Sequence, residues 1–525
     1  MAPTQPLSSH WADTTAFSVI KTKGDKPQYV VSSGITPSGK VHVGNFREVL
    51  TVALVARALR DVGKNVRFLY SWDNFDTFRK VPKNLPDPAA FTPYLHQPIM
   101  RIPDPWGQAT CYAQKFIQQF EDELKLVGMH PEYLYQESKY SSGSYAAEIR
   151  QALEATEAIK EILNRYRTSP LEDSWLPTAV YCSQCQKDEM AYQTYPGEWA
   201  YQYKCASCGF EETLDIRQTR QLKLSWRVDW PMRWHFEKVD FEPGGKDHSS
   251  EGGSFDTGAE IIQKVWGVAP PVYLQYDFVK IKGGSGKMSS SSGELLTISD
   301  VCEVYEPQVL RWIFANHRPN HDFAISFDED VIKVYEEFDK CERSAFTESD
   351  GKAKWQQNRR IYEFSLVGEP SSAAPQRAGF RALCNHLQLC DGDIEKTHQR
   401  FYPTFVGDAH IAFVSRATRA WEWLQKHAPS EFRYQLHRER VEVVLSAPQL
   451  EALALLRTFL SQTDLATMDT KSINEALWAH VVNQVSCEPK EVFTAIYLKL
   501  IGRDQGPRLP SFLQEIGAER LLELL

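Results

Sequence analysis

Two segments of this 525-residue chain carry residue types suited to holding phosphate. In the first, Pro37-Ser38-Gly39-Lys40-Val41-His42-Val43-Gly44-Asn45, small residues and a histidine stand at the start of an apolar helical stretch. Free backbone N–H groups and the helix dipole favour a phosphate there. About 240 residues later, Lys287-Met288-Ser289-Ser290-Ser291-Ser292-Gly293 places one lysine in a loop of glycines and hydroxyls, suited to closing over a triphosphate as its charge shifts. Gly34 and Gly39 let backbone approach a ligand, Thr36 and Ser38 offer hydroxyls, and His42 with Asn45 opens the helix as polar donors. Taken singly, the first segment is also a glycine-proline turn capping a helix, and the second a flexible linker. Together they read as two halves of one nucleotide site.

A third constellation is metallic. Cys182-x-x-Cys185, nineteen intervening residues and then Cys205-x-x-Cys208-Gly209 form two pairs whose four thiolates suit tetrahedral zinc, with Zn–S distances of about 2.3 Å and no open position for water. The expected ion is structural. The other six of ten cysteines are scattered, which indicates metal usage in a reducing compartment and not a disulfide framework. Tyr181, Tyr192, Tyr195, Trp199, Tyr201, Tyr203 and Phe210 surround the pairs, either as the small core of a ribbon or as stacking platforms for unpaired bases.

These residues need a scaffold. Tyr29 to Ser33 reads as a strand, Asn45 to Leu59 is apolar at helical spacing, Gly63 ends that helix, and Val66 to Tyr70 is a second strand. This βαβ alternation predicts a doubly wound, Rossmann-like parallel sheet. From Val81 to Trp106, seven prolines exclude long regular elements and predict an extended surface connection. Phe116 to Val127 and Ser144 to Tyr166 read as amphipathic helices. Beyond Asp330 helix formers dominate. The expected organisation is a catalytic α/β domain over 1–330 with a zinc ribbon inserted at about 170–225, followed by an all-α domain over 331–525.

With these motifs in place, the chain resembles the class I aminoacyl-tRNA synthetases, whose HIGH and KMSKS signatures it matches as HVGN and KMSSS. The departure is Ser290, where the family usually has a second lysine; Lys280 and Lys282 are the nearby sources of charge. Glu242-Pro243-Gly244-Gly245-Lys246-Asp247-His248 followed by Gly252-Gly253-Ser254-Phe255-Asp256-Thr257-Gly258 is similar to the class I lysyl-tRNA synthetases. So are Trp72-Asp73-Asn74-Phe75-Asp76, Pro103-Asp104-Pro105-Trp106-Gly107 and Trp226-Arg227-Val228-Asp229-Trp230-Pro231-Met232-Arg233-Trp234. The resemblance implies activation of L-lysine by ATP with magnesium, then transfer of the lysyl group to the 3′ end of tRNA(Lys), first to the 2′-hydroxyl. In that chemistry a carboxylate attacks the α-phosphorus, and the protein mainly positions and neutralises. It implies catalysis by His42, Asn45 and Lys287, with the nucleotide held by Thr36, Pro37, Ser38, Gly39, Gly44, Met288, Ser289 and Ser290 as well.

A lysine pocket should combine carboxylates with aromatic walls that bury methylenes and favour a cation. Asp73 and Asp76 follow directly on a predicted strand, at the carboxyl end where open α/β sheets bind ligands. The residues expected to meet the amino acid are Gly34, Thr36, Asp73, Asp76, Trp226, Trp230, Asp247, His248 and Tyr276, with Tyr273 a further wall. The alternatives are a turn cap for each aspartate and core packing for each tryptophan. In the helical half, Arg416, Arg419, Trp421, Trp423, Lys426, His427, Arg433, His437, Arg438 and Arg440 interleave basic and aromatic side chains. They read equally as a grip for phosphate and anticodon bases or as a solvated face.

Net charge of −9 and mean hydropathy of −0.42 give no global attraction to nucleic acid and no membrane span. Neither a secretory signal nor an anchor is expected from Met1 to Trp11, so the expected location is the cytoplasm. Two other functions fit part of the pattern. A class I synthetase for another amino acid such as glutamate would need an arginine or lysine facing the side-chain carboxylate. A synthetase-like RNA-binding protein without catalysis would keep the ribbon and helices alone.

Overall fold

The computed structural model describes residues 5–83, 85–283, 295–347 and 351–525. The chain divides into two compact units: Met1–Ile325 with Cys341–Ser372, and Ser326–Lys340 with Ala373–Leu525. The division falls inside the helix Asp330–Ala345, so residues 341–372 pack with the first unit.

The first unit is built on a five-stranded parallel sheet: β1 (Tyr29–Ile35), β2 (Val66–Trp72), β3 (Glu132–Tyr135), β4 (Phe241–Gly245) and β5 (Val272–Tyr276), in the order β5-β4-β1-β2-β3. β1 pairs with β2 along its whole length, from Tyr29 opposite Val66 to Ile35 opposite Trp72, whereas β1 and β4 meet only at Val31 and Phe241. Beyond that point they part. The strand order reverses here too, which makes their carboxyl ends the crevice where doubly wound sheets take ligands. Burial on both faces explains why β1 and β2 read as largely apolar runs instead of alternating.

Helix α1 (Val43–Asp61) connects β1 to β2. It buries Val43, Phe46, Val49, Leu50, Val52, Leu54 and Leu59, each contributing about 1.5–3 kcal/mol relative to exposure. Gly63, at φ +77°, turns the chain after it. The proline-rich segment differs from an extended surface strap: it forms short turns at Ala89–Tyr94 and Ile99–Arg101. It also buries Leu85, Phe91, Ile99 and Ile102 against Phe78, Tyr112 and Phe116 in a small core of its own. The helical stretch expected over 144–166 breaks at Ala155 into Ala146–Glu154 and Thr156–Asn164.

Between these helices and α2 (Trp226–Phe236) stands the cysteine segment. Its three-stranded antiparallel sheet comprises Met190–Gly197, Ala200–Cys205 and Glu211–Asp215, above a base in which Thr178–Val180 pairs with Leu222–Leu224. Tyr181, Tyr201 and Tyr203 are fully buried in it, while Tyr192 is exposed.

The second unit is helical, with no strand among its described residues. Its elements include α3 (Ile394–Phe401) and α4 (Asp408–Lys426). A core of Leu453, Leu456, Ile473, Leu477, Val492, Ile496, Phe512 and Leu513 holds the later helices. Two residues of the basic-aromatic run belong to packing instead of a surface. Arg416 is buried with both terminal nitrogens on Asp339, at 3.0 and 2.9 Å, and Trp423 is buried with Nε1 donating to the Phe327 carbonyl. A guanidinium enters a core only when its donors are met in this way.

Candidate active site

At the carboxyl ends of β1 and β4 a cleft of about 560 Å³ is lined by Gly34, Thr36, Ser38, His42, Gly44, Asn45, Glu48, Asp73, Asp76, Trp226, Asp247, His248 and Tyr276, together with Asp277 to Val279. An adjoining recess of about 40 Å³ adds Trp230, Arg233, Glu242 and Gly244. The fold therefore gathers around one opening all nine residues expected to meet the amino acid and, from the nucleotide set, Ser38, His42, Gly44 and Asn45, whereas Tyr273 stacks on Phe255 and does not line the opening. Pro37 and Gly39 shape the turn into α1 without lining it. Lys287, Met288, Ser289 and Ser290 lie outside the described residues.

On one side the opening is the N-terminus of α1. His42 caps it in extended conformation, its Nδ1 accepting from Gly44 N–H at 3.1 Å while its own N–H donates to Asn45 Oδ1 at 3.2 Å. An Nδ1 acting as acceptor leaves the neutral ring's proton on Nε2. Asn45 thus spends its oxygen on the cap and keeps its amide N–H groups. The helix start is also tied to the segment after the serine loop: Val43 N–H donates to the Leu296 carbonyl at 2.8 Å, and Lys40 Nζ lies 3.2 Å from Asp300 Oδ2 and 3.4 Å from the Leu295 carbonyl. Lys280, considered from the sequence as a helper for Lys287, is paired with Asp322.

The floor is a buried charge network that the sequence did not disclose. Arg233 NH1 donates to Asp73 Oδ1 at 2.6 Å and to Ser71 Oγ at 2.7 Å, and its NH2 is 3.3 Å from Asp229 Oδ2. Asp76 accepts from Lys223 Nζ at 2.5 Å and from Thr36 Oγ1 at 2.6 Å. Glu242 accepts from the indoles of Trp230 and Trp234, at 3.0 and 2.8 Å. Glu48, one turn beyond Gly44 on the same face of α1, accepts from Gly34 N–H at 3.2 Å and from the Tyr276 hydroxyl. Five carboxyls, Glu48, Asp73, Asp76, Asp229 and Glu242, thus face only two cations, Arg233 and Lys223. Burial pushes Glu48 up to about 8 and raises Asp73 and Glu242. Against its own burial, Asp76 is held below its ordinary value by the Lys223 ammonium and by hydrogen bonds from Lys223 and Thr36. The excess of acids over cations suits a cationic ligand, whose charge would favour ionisation of the carboxyls that burial has raised.

Aromatic rings form the wall. Trp226 stacks on Trp230 at 5.3 Å and 13°, and His248, in the turn Lys246–His248 after β4, sits 6.2 and 5.9 Å from them. Trp226 is 37% exposed, so its outer face is available, whereas Trp230 is core on one side and recess on the other. Gly34 serves close packing as well as access: a Cβ there would lie 2.6 Å from the Ser71 carbonyl oxygen on β2.

Glu48, Arg233, Lys223, Asp229 and Glu242 are not among the residues expected in the site, although Asp229, Arg233 and Glu242 stand within the segments that carry the resemblance. Glu48 carried a faint signal, as a lone acid in an apolar helix four residues after Gly44. Lys223 carried none, and Arg233 only its place in the tryptophan-rich segment that bears the resemblance, because the fold alone brings them to Asp76 and Asp73.

The four cysteines converge away from the cleft. Sγ of Cys182 and Cys208 are 3.6 Å apart and those of Cys185 and Cys205 3.5 Å, with all four within 4.8 Å of one another. Thiolates at about 2.3 Å from a tetrahedral ion would stand about 3.8 Å apart. The two knuckles repeat one hydrogen-bond pattern. Gln186 N–H donates to the Cys182 carbonyl and Gly209 N–H to that of Cys205, while Cys182 N–H donates to Lys187 O and Cys205 N–H to Phe210 O. Gln186 and Gly209 share the left-handed conformation. The first knuckle also grips the loop after β2: Tyr181 donates to the Phe75 carbonyl at 3.0 Å, and Asp188 accepts from Thr77 Oγ1 at 2.8 Å with Arg79 and His96 each 3.0 Å away.

Among the described residues no helix is long and apolar enough to cross a membrane. Comparison with known proteins gives a profile match to the tRNA synthetases class I (K) over residues 9–368. The lysine–tRNA ligase of Treponema pallidum is 44% identical over 524 residues, covering 99% of this chain and 98% of its own length. That of Borreliella burgdorferi is 44% identical over 515 residues, covering 98% of each. That of Thermococcus kodakarensis is 41% identical, covering 98% of this chain and 99% of its own.

Proposed function

This chain belongs to the tRNA synthetases class I (K), and from that premise we propose that its cleft joins L-lysine to ATP and passes the lysyl group to tRNA(Lys). It is a lysine–tRNA ligase. ATP, taken as its magnesium complex, lies against the N-terminus of α1, where the helix dipole and the polar side chains of His42 and Asn45 face its phosphate oxygens, the first backbone N–H groups of the helix being already bonded within the protein. The lysine carboxylate attacks the α-phosphorus and pyrophosphate leaves. Protein groups hold and neutralise; no side chain need exchange a proton in this step. Lys287 acts on the departing pyrophosphate. In support, Leu296, nine residues further on, is hydrogen-bonded to Val43 at that same helix end.

The substrate side chain runs along Trp226 and Tyr276 with its ammonium over the acidic floor. The observation that carries lysine over glutamate is the excess of five carboxyls at the cleft floor, three of them buried, over two cations, both already paired with acids. A glutamate side chain would meet no unspent guanidinium or ammonium among the described cleft residues. ATP–pyrophosphate exchange measured with each of the twenty amino acids tests this: lysine alone should drive it, and exchange driven by glutamate instead would overturn the assignment.

The remaining parts have supporting roles. Zn2+ held by Cys182, Cys185, Cys205 and Cys208 stiffens the ribbon, since four thiolates close its coordination. The helical unit reads the anticodon of the tRNA through its exposed basic residues, among them Arg433, Arg438 and Arg440. The setting is the cytoplasm, where thiols stay reduced.

A further inference from the structure

We propose that Glu395, His398 and His410 form a second metal site, in the helical unit, for a divalent ion of the zinc class. Glu395 and His398 stand three residues apart on α3 and so share a face, and the first turn of α4 brings His410 to them across the turn 402–407. One ligating atom from each lies within 4.8 Å of the other two. Nε2 of His410 and Oε2 of Glu395 are 3.8 Å apart, wider than a hydrogen bond, and the two imidazoles meet edge-on with centroids 4.3 Å apart.

The surroundings hold these groups as ligands are held. Gln399 Nε2 donates to Glu395 Oε1 at 2.8 Å, which leaves Oε2 as the carboxylate atom toward His410. His398 Nε2 is 2.8 Å from the Phe405 carbonyl. A carbonyl only accepts, so Nε2 carries the proton and the neutral ring's lone pair sits on Nδ1. A histidine that gives its second N–H to a carbonyl, beside a carboxylate with its outer oxygen bonded, is the usual outer shell of a metal site. Two imidazoles and one carboxylate suit Zn2+ and neighbouring transition ions, whereas Mg2+ and Ca2+ prefer oxygen alone. Three protein ligands leave a position for water. A bound ion would tie α3 to α4 and fix the turn between them.

The test is a zinc count on the full-length chain. Metal-stripped protein is titrated with Zn2+ against a chromophoric chelator, and bound zinc is measured after desalting. Two equivalents are expected, one lost in Cys205→Ser and the other in Glu395→Gln, whose exposed side chain can change without disturbing the core. His398→Ala combined with His410→Ala should lose the same equivalent as Glu395→Gln, and Gln399→Ala should weaken it about tenfold or more. Lysine-dependent exchange should be unaltered in Glu395→Gln. A single equivalent in the unaltered chain, or a second one that survives both Glu395→Gln and the double histidine variant, would overturn the site.

Discussion

His42 has two jobs that substitution can separate. As the cap of α1 it accepts from Gly44 N–H through Nδ1, a contact whose loss costs about 1 kcal/mol. As a donor through Nε2 it would meet charge that grows on phosphate oxygens, and removing such a donor typically lowers the rate by about 10² or more. Asparagine is a good cap but puts no donor where the imidazole Nε2 stands. His42→Ala should therefore lose both stability and exchange, and His42→Asn should lose exchange by about 10² with its thermal midpoint kept. Exchange at the unaltered rate in His42→Asn would remove the catalytic role.

Glu48 makes a pH-dependent prediction. Its carboxyl is pushed from the ordinary 4.5 to about 8 by burial, so between those values the fold holds a proton that the unfolded chain has released. The neutral acid's contribution to stability is complete below about 4.5 and is lost as pH rises through about 8. An ammonium placed near Glu48 and Tyr276 acts in the opposite direction and favours the carboxylate. Lysine binding at pH 7 should accordingly expel a proton. Its calorimetric enthalpy should differ between buffers of small and large ionisation heat, and the difference should vanish in Glu48→Gln. Equal enthalpies for the unaltered protein would place the ammonium elsewhere.

At the scale of elements, the parts legible in the sequence are those fixed by local chemistry. The β1-α1-β2 unit, Gly63 and the cysteine knuckles rest on periodicity, a left-handed turn and ligand spacing, and each lies within a residue or two of its expected place or, for the knuckles, at the four cysteines themselves. The proline-rich segment was readable only in what it cannot form; its apolar core depends on Tyr112 and Phe116, which approach through tertiary packing. Lys223 was least visible. In Leu222-Lys223-Leu224 alternation directs it away from the leucines, as for any solvated strand lysine, yet the opposite face here is the cleft floor and Asp76. The carboxylates at the strand end were foreseen, but their counter-ions come from 147 and 160 residues away.

One consequence concerns the ribbon as a brace. Asp188, nearly buried and three residues past Cys185, fixes Thr77 directly after Asp76. A hydrogen bond to a charged group contributes about 1.5–3 kcal/mol, and every 1.4 kcal/mol is about tenfold in affinity. Asp188→Ala should raise the KM for lysine about tenfold through a misplaced Asp76, with zinc content unchanged because all four thiolates remain. KM for lysine measured by exchange, beside a metal count, decides it. An unaltered KM would reduce the knuckle to a purely local scaffold.

For the whole molecule, the important division is not at the first turn of a predicted helical half. Residues 341–372 return to the first unit, and Arg360 shows why. It is buried with Nε and NH2 on Asp13 at 2.9 and 2.8 Å and with NH1 2.7 Å from Asp61 at the end of α1. Arg311 NH2 donates to the Phe364 carbonyl at 3.1 Å within the same unit. A chain ending at 329 would leave Asp13 buried without its partner, and breaking a buried pair from one side costs about 3–5 kcal/mol, a large fraction of the total stability of a domain. A chain ending at 372 keeps those contacts and the whole cleft while losing the helices that follow. The 1–372 fragment should therefore keep lysine-dependent ATP–pyrophosphate exchange within about tenfold of the full chain and fail to aminoacylate tRNA, whereas 1–329 should be unfolded or inactive in both assays. Circular dichroism melts beside the two assays would check this, and a 1–329 fragment as stable and active in exchange as 1–372 would show that Arg360 and its segment are dispensable to the cleft.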